Sequence, residues 1–267
     1  MKSNFLKVPS RLGIGRPAVG FVILFLAAEA LLAGLIAPEQ TALSPAALLE
    51  KIDENAVPGN KIMVSSMTIH GRRGDRTVKS KSWIEGDDKA FTEYLEPPRE
   101  KGIKMLKLGD QLWTYTPAAD RVIGISGNML RQSVMGSDLS YEDMMENRKW
   151  STIYAAADDG TETVLDRPCR ILKLTASVPD VAYEVRRIWV DESRFLVLKE
   201  ERYGKSGRLL KTLEVGEVKQ MEGRWVQTRA LFRDVLKEGG GTEFIIESVD
   251  FEADIPEVLF SKASLRK

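Results

Sequence analysis

Few residues of this chain could carry acid–base or covalent catalysis. His70 is the only histidine, so any serine–histidine–aspartate or cysteine–histidine arrangement must use it. It precedes Gly71 at the end of a predicted hairpin, which favours a solvated turn residue. The stretch Gly124-Ile125-Ser126-Gly127 lacks the glycine spacing of a nucleophile elbow, and Ser126 has no evident base. The sequence therefore predicts no catalytic residue.

The sequence gives equally little indication of a metal site, a nucleotide site or a reactive thiol. The carboxylate pairs Asp87-Asp88, Asp158-Asp159 and Glu142-Asp143 could bind a hard cation, but turns and helix N-termini explain all three. The glycines at 239–241 lack the lysine and the helix start of a phosphate loop. The single cysteine, Cys169, excludes an internal disulfide and lies in a predicted buried strand. We therefore expect neither a cofactor nor a metal.

A cluster of methionines is the feature that points to binding. Methionine side chains are flexible and can repack around ligands of irregular shape. The cluster lies in the one long segment without strand character, from Asn128 to Trp150, which we interpret as a broken helical lid. The predicted ligand-binding residues of the lid and of two nearby strands are Met105, Trp113, Tyr115, Met129, Leu130, Met135, Leu139, Met144 and Met145.

Two questions about this predicted site stay open. The lid side chains could plug the open face of the sheet permanently, or they could cover a ligand there. Alternation along the strands also leaves the cavity face undecided, because Trp113 and Tyr115 point one way and Leu112 the other.

The elements that must position the lid are hairpins. Ser44 and Pro45 predict the start of one amphipathic helix with Leu48, Leu49 and Ile52 on one side. From Ile62 onward, short alternating segments separated by turn residues predict thirteen strands, six before the lid and seven after it. Ser140 is predicted to cap a lid helix, and Gly136 to divide the lid. The fold class is mainly β: a single curved antiparallel sheet forming an incomplete, half-open barrel.

The N-terminus resembles an export signal. Lys2, Lys7, Arg11 and Arg16 precede an apolar run from Val19 to Ala37 that is interrupted only by Glu29. We predict a signal peptide or a retained anchor at 1–37 and one β domain at 38–267. Residues 1–37 carry four basic groups and one acidic group, so 35 basic groups face 38 acidic groups in the domain. This balance indicates no nucleic-acid partner.

Several segments resemble a known bacterial family. They are Lys81-Ser82-Trp83-Ile84, Glu93-Tyr94-Leu95-Glu96-Pro97, Leu112-Trp113-Thr114-Tyr115-Thr116-Pro117 and Met135-Gly136-Ser137-Asp138-Leu139-Ser140-Tyr141-Glu142-Asp143. On these segments the chain resembles the LolA-like outer-membrane lipoprotein-sorting proteins. The resemblance implies a monomeric half-barrel, closed by helices, whose apolar hollow holds acyl chains in transit through the periplasm. It also implies an inner-membrane exporter or an outer-membrane acceptor as partner.

The chain departs from this family in two respects. Its body is longer, and no residue matches the arginine with which the family's chaperones hold the lid.

We consider three functions. The first is a periplasmic carrier of a lipid or of a lipid-modified protein. The second is an envelope sensor that binds a protein through an acidic lid face formed by Glu142, Asp143 and Glu146. The third is a hydrolase of lipid-like substrates that would use His70 or Ser126.

Overall fold

The computed structural model describes residues 42–56, 59–146 and 148–267. The predicted signal peptide or anchor at 1–37 lies outside the described residues. The described part forms one unit, Ala42–Lys267. None of the helices in these ranges is both long enough and apolar enough to cross a membrane.

The alternating segments form strands close to their predicted bounds. The strands are β1 (Lys61–Gly71), β2 (Gly74–Glu85), β3 (Lys89–Glu96), β4 (Lys104–Leu108), β5 (Gln111–Thr116), β6 (Arg121–Ile125), β7 (Tyr154–Val164), β8 (Arg167–Ala176), β9 (Val185–Asp191), β10 (Leu196–Tyr203), β11 (Leu209–Met221), β12 (Arg224–Asp234) and β13 (Gly241–Phe251). The largest difference is in β7, which begins at Tyr154 and not at Thr161. Its first residues, Ala155 to Ala157, have small side chains that weaken the strand signal.

All thirteen strands belong to one sheet, and every neighbouring pair is antiparallel. The order is β6-β5-β4-β3-β2-β1-β13-β12-β11-β10-β9-β8-β7. The first and last strands of the described residues, β1 and β13, therefore pair at the centre, while β6 and β7 form the two edges. The predicted single antiparallel sheet is confirmed, and it does not close into a barrel.

Helix α1 (Pro45–Ala56) begins where the sequence predicts. The backbone N–H of Ala47 donates to the Ser44 hydroxyl at 3.2 Å, which satisfies one of the free donors of the first turn. Leu48, Leu49 and Ile52 are buried against apolar residues of β7 to β10. We call the side of the sheet that α1 covers the inner face.

The lid is less regular than predicted. It contains two short 3-10 helices, Gly127–Arg131 and Val134–Gly136, followed by α2 (Tyr141–Met145) and α3 (Trp150–Ile153). Met135 and Gly136 both have positive φ, 52° and 75°, and this left-handed pair breaks the lid at the predicted glycine. Ser140 and Asp143 form the predicted capping box at the start of α2.

The lid covers the same face as α1 but on the other half of the sheet. One row of residues that lie directly opposite one another on neighbouring strands runs from the half under α1 to the half under the lid. The row consists of Leu172, Ile188, Glu200, Leu213, Phe232, Thr242, Ile69 and Arg76. Leu172 and Ile188 pack with α1, whereas Ile69 packs with the lid.

The C-terminal segment covers the opposite face of β2 to β6. Its two 3-10 helices, Glu257–Leu259 and Lys262–Arg266, place Phe260 and Leu265 against Phe91 and Leu106. Both faces of β3 and β4 are therefore covered, which agrees with the consecutive buried residues in these two strands.

Candidate functional site: a cavity on the inner face

A cavity of about 510 Å³ lies where α1 and the start of α3 face β1 and β10 to β13. Its apolar wall is built from widely separated parts of the chain: Ile52, Met63, Trp150, Phe195, Leu196, Val197, Leu213, Val226, Ile246, Val249 and Phe251. Such a volume falls in the range of about 300–1,000 Å³ that is common for small-molecule sites.

Asp53 joins the two helices beside the cavity. Its two carboxylate oxygens accept the backbone N–H groups of Trp150 and Ser151 at 2.9 and 2.8 Å. These donors belong to the first turn of α3 and have no partner within that helix, so Asp53 satisfies them from α1. The Trp150 ring then lies over the Arg186 guanidinium, 4.7 Å away. The helical cover is thereby fixed to the sheet.

A buried ion network forms the polar end of the cavity. Glu200 accepts from Arg186 at 2.5 Å and from Arg202 at 2.9 Å. Arg202 also reaches Asp143 of the lid at 2.9 Å, and Tyr183 donates its hydroxyl to the same carboxylate at 2.6 Å. Lys211 completes the contacts of Asp143. The network therefore anchors the lid to β10 and β11.

The electrostatics of this network favour ionised carboxylates. Burial would raise the pKa of Asp143, but the charges of Arg202 and Lys211 and the hydrogen bonds outweigh it, and the pKa falls well below its usual range. Burial likewise opposes ionisation of Glu200, and Arg202 and Arg186 lower its pKa. Burial raises the pKa of Tyr183, so this residue remains a neutral donor.

The opposite end of the lid is held by Arg76 and Asp138. Arg76 of β2 donates to the carbonyl oxygen of Met135 and pairs with Glu100 at 2.6 Å. Asp138 accepts from the Thr242 hydroxyl at 2.7 Å and from the backbone N–H of Asp234 at 2.9 Å. From the sequence, no residue matched the arginine with which LolA-like chaperones hold the lid. In the structure, Arg76 contacts the backbone of the lid.

Six of the nine predicted ligand-binding residues come together. Met105 is buried under the lid in one cluster with Met129, Leu130, Met135, Leu139 and Met145. Met144 is outside this cluster and 40% exposed.

Trp113 and Tyr115 lie elsewhere, on the opposite face beneath the C-terminal segment. These two aromatic residues therefore do not face the lid. The predicted acidic lid face is wrong, because the Asp143 side chain is only 2% exposed and the Glu146 side chain 12%.

None of the nine residues lines the cavity. Sequence reasoning missed the cavity residues because no local pattern brings α1, β1 and β10 to β13 together. The capping signal at Ser140 and Asp143 pointed to the segment that borders the site, but not to the partners of Asp143.

Comparisons with known proteins agree with this architecture. A family model described as an uncharacterized protein matches residues 86–267. A LolA superfamily protein from Nitrosomonas europaea is 25% identical, with a TM-score of 0.68, over 84% of this chain and 100% of that chain. A DUF1329 family protein from Desulfovibrio piger is 24% identical, with a TM-score of 0.75, over 84% and 100%.

A third solved structure, described as an outer membrane lipoprotein-sorting protein domain from Vibrio parahaemolyticus, is 24% identical over 82% of this chain and 98% of that chain. Its TM-score is 0.70. No curated protein matches the chain. The chain belongs to the family of uncharacterized proteins that this model describes, and its fold is the one found in the LolA superfamily.

Proposed function

We propose that this protein is a non-catalytic periplasmic carrier that binds the alkyl chains of a lipid, or of a lipid-modified protein, in the inner-face cavity. The observation that carries the proposal is a cavity of about 510 Å³ that has an apolar wall and is bounded by α1, α3 and the open sheet. Burying alkyl chain there stabilises the complex by about 0.8 kcal/mol per methylene. Eight methylenes would contribute roughly 6 kcal/mol before the entropy of association is subtracted.

The Met-rich lid suits such a role. Its methionines fill the inner face next to the cavity, and the lid is held by a few polar contacts through Arg76, Asp138 and Asp143. We infer that these side chains plug the face in the free protein and repack around a longer chain. In this proposal an inner-membrane exporter delivers the cargo or an outer-membrane acceptor receives it.

The test is binding of a fluorescent fatty acid, together with native mass spectrometry of protein mixed with a membrane lipid extract. We expect saturable binding and a lipid adduct. Val226→Trp places a large ring in the cavity wall and should abolish both, whereas Val258→Trp changes a valine that is 60% exposed and should abolish neither. Equal binding by both variants, or no binding by the unaltered protein, would exclude the cavity as the cargo site.

A further inference from the structure

Two positively charged side chains lie beside Phe251 at the rim of the cavity. Lys61 is directly opposite Phe251 in the pairing of β1 with β13. Arg224 places its guanidinium 4.8 Å from the centre of the Phe251 ring. Lys61, Arg224 and Phe251 all line the cavity. Two cations therefore flank one apolar side chain at the point where the cavity meets solvent.

Lys61 forms no salt bridge within the part of the chain that the structure describes, and Asp87, which also lines the cavity, is the acidic group whose charge acts on it. Its side chain is half-buried, and burial lowers the pKa of its ammonium group, with further lowering from the charge of Arg224 and a smaller opposing effect of Asp87. Arg224 pairs with Glu252 at 3.1 Å, but this carboxylate is 79% exposed. A partly desolvated cation is stabilised when an anion binds beside it.

The lining carboxylates of α1, the lid and β10 are already engaged. Asp53 accepts two backbone N–H groups, Glu146 pairs with Arg148 at 3.0 Å, and Glu200 lies between two arginines. The exposed Lys149 adds another positive charge to the lining on the α3 side. The rim therefore offers positive charge to a ligand, while the interior offers apolar surface.

From this arrangement we infer that the cavity takes an anionic amphiphile, with its oxyanion bound by Lys61 and Arg224 at the rim and its alkyl chain inside. The inference rests on the proposed function and adds the chemistry of the headgroup to it. The oxyanion can be the carboxylate of a fatty acid or the phosphate of a lipid, since both accept hydrogen bonds from an ammonium and a guanidinium group. A neutral alkyl chain fills the same cavity but brings no negatively charged acceptor to the two cations.

The experiment compares decanoate, decyl phosphate and decanol by titration calorimetry at neutral pH, with inorganic phosphate alone as a further ligand. We expect both anions to bind about tenfold more tightly than decanol, because a hydrogen bond to a charged group contributes about 1.5 kcal/mol or more. Inorganic phosphate should not bind measurably. Preference for only one anion would identify which headgroup the rim accepts and would still support the inference.

Lys61→Gln should reduce the preference for the anions over decanol, and an unchanged thermal unfolding temperature of this variant would show that its fold is intact. Arg224→Gln should reduce the preference, and Lys205→Gln, in an exposed turn, should not alter it.

Equal affinity of the unaltered protein for decanoate and decanol would overturn the headgroup inference but leave the proposed function standing. Failure to bind any of the three amphiphiles would overturn both. An anion preference that is undiminished in Lys61→Gln, or a joint loss of decanol and decanoate binding in that variant, would overturn the assignment to Lys61. Binding of inorganic phosphate as tight as that of decyl phosphate would show an anion site unrelated to the alkyl chain.

Discussion

Asp143 holds the lid on the sheet, and its replacement by asparagine is the most direct test of that role. The substitution keeps the size of the side chain and an oxygen for the capping box of α2, but it removes the charge that faces Arg202 and Lys211. Breaking a buried ion pair from one side costs about 3–5 kcal/mol because the remaining charge is left uncompensated. Arg202 retains Glu200, and Lys211 is 13% exposed, so we take the lower end, about 3 kcal/mol.

For a domain of this size, about 3 kcal/mol corresponds to a fall in Tm of roughly 6–12 °C. Calorimetry or circular dichroism measures this, and hydrogen exchange of the backbone amides in α2 reports whether the lid opens before the sheet unfolds. The matched control is Glu142→Gln in the same helix, which should shift Tm by about 1 °C or less. If both variants melt within a degree of the unaltered protein, the ion network does not secure the lid.

Protonation of the same carboxylate should also make the folded protein less stable at acid pH. The pKa of Asp143 is lowered in the folded protein, so its contribution is fully present above the usual carboxyl pKa of roughly 4. It is lost as pH falls from there toward the lower folded value. Asp143→Asn should therefore lose less stability than the unaltered protein between about pH 5 and pH 3. Parallel pH profiles would contradict the lowered pKa.

Two further outcomes follow from the packing of the cover segments. Arg76→Ala removes the contact with the Met135 carbonyl. Hydrogen exchange of the backbone amides in residues 134–139 should therefore accelerate by about tenfold or more relative to the exposed control Arg73→Ala. Unchanged exchange would show that Arg76 does not hold the lid. Phe260→Ala should lower the free energy of unfolding in urea by about 3 kcal/mol because the ring is 7% exposed, whereas Val258→Ala should change it by less than about 0.5 kcal/mol; equal effects would place Phe260 outside the core.

The hairpins and the start of α1 could be predicted from the sequence, because they depend on local alternation, turn residues and one helix cap. It could not settle which face of β5 bears on the lid, since Leu112 faces the lid while Trp113 faces the C-terminal segment, and both sides are apolar. The cavity could not be predicted from the sequence either. It depends on the pairing of Lys61 with Phe251, which are far apart in the chain, and on Asp53 binding α3.

The helical content of the lid was overestimated for a related reason. Its apolar residues and the cap at Ser140 predicted a broken helical lid, but much of the segment contacts the sheet through short 3-10 turns. Tertiary contacts, such as those of Asp138 with Thr242 and of Asp143 with Arg202, hold these turns where local propensity would not.

The pairing of β1 with β13 also bears on how the chain is made. During synthesis β1 appears first and β13 last, so the central ladder of the sheet has to wait for the final strand. Until then β1 can pair with β2 on one side only, and its other side is an open edge able to join a strand of another molecule. The two halves can form as separate meanders before they join. A chain that ends before Gly241 would therefore expose the unpaired edge of β1, which makes truncated products prone to aggregate.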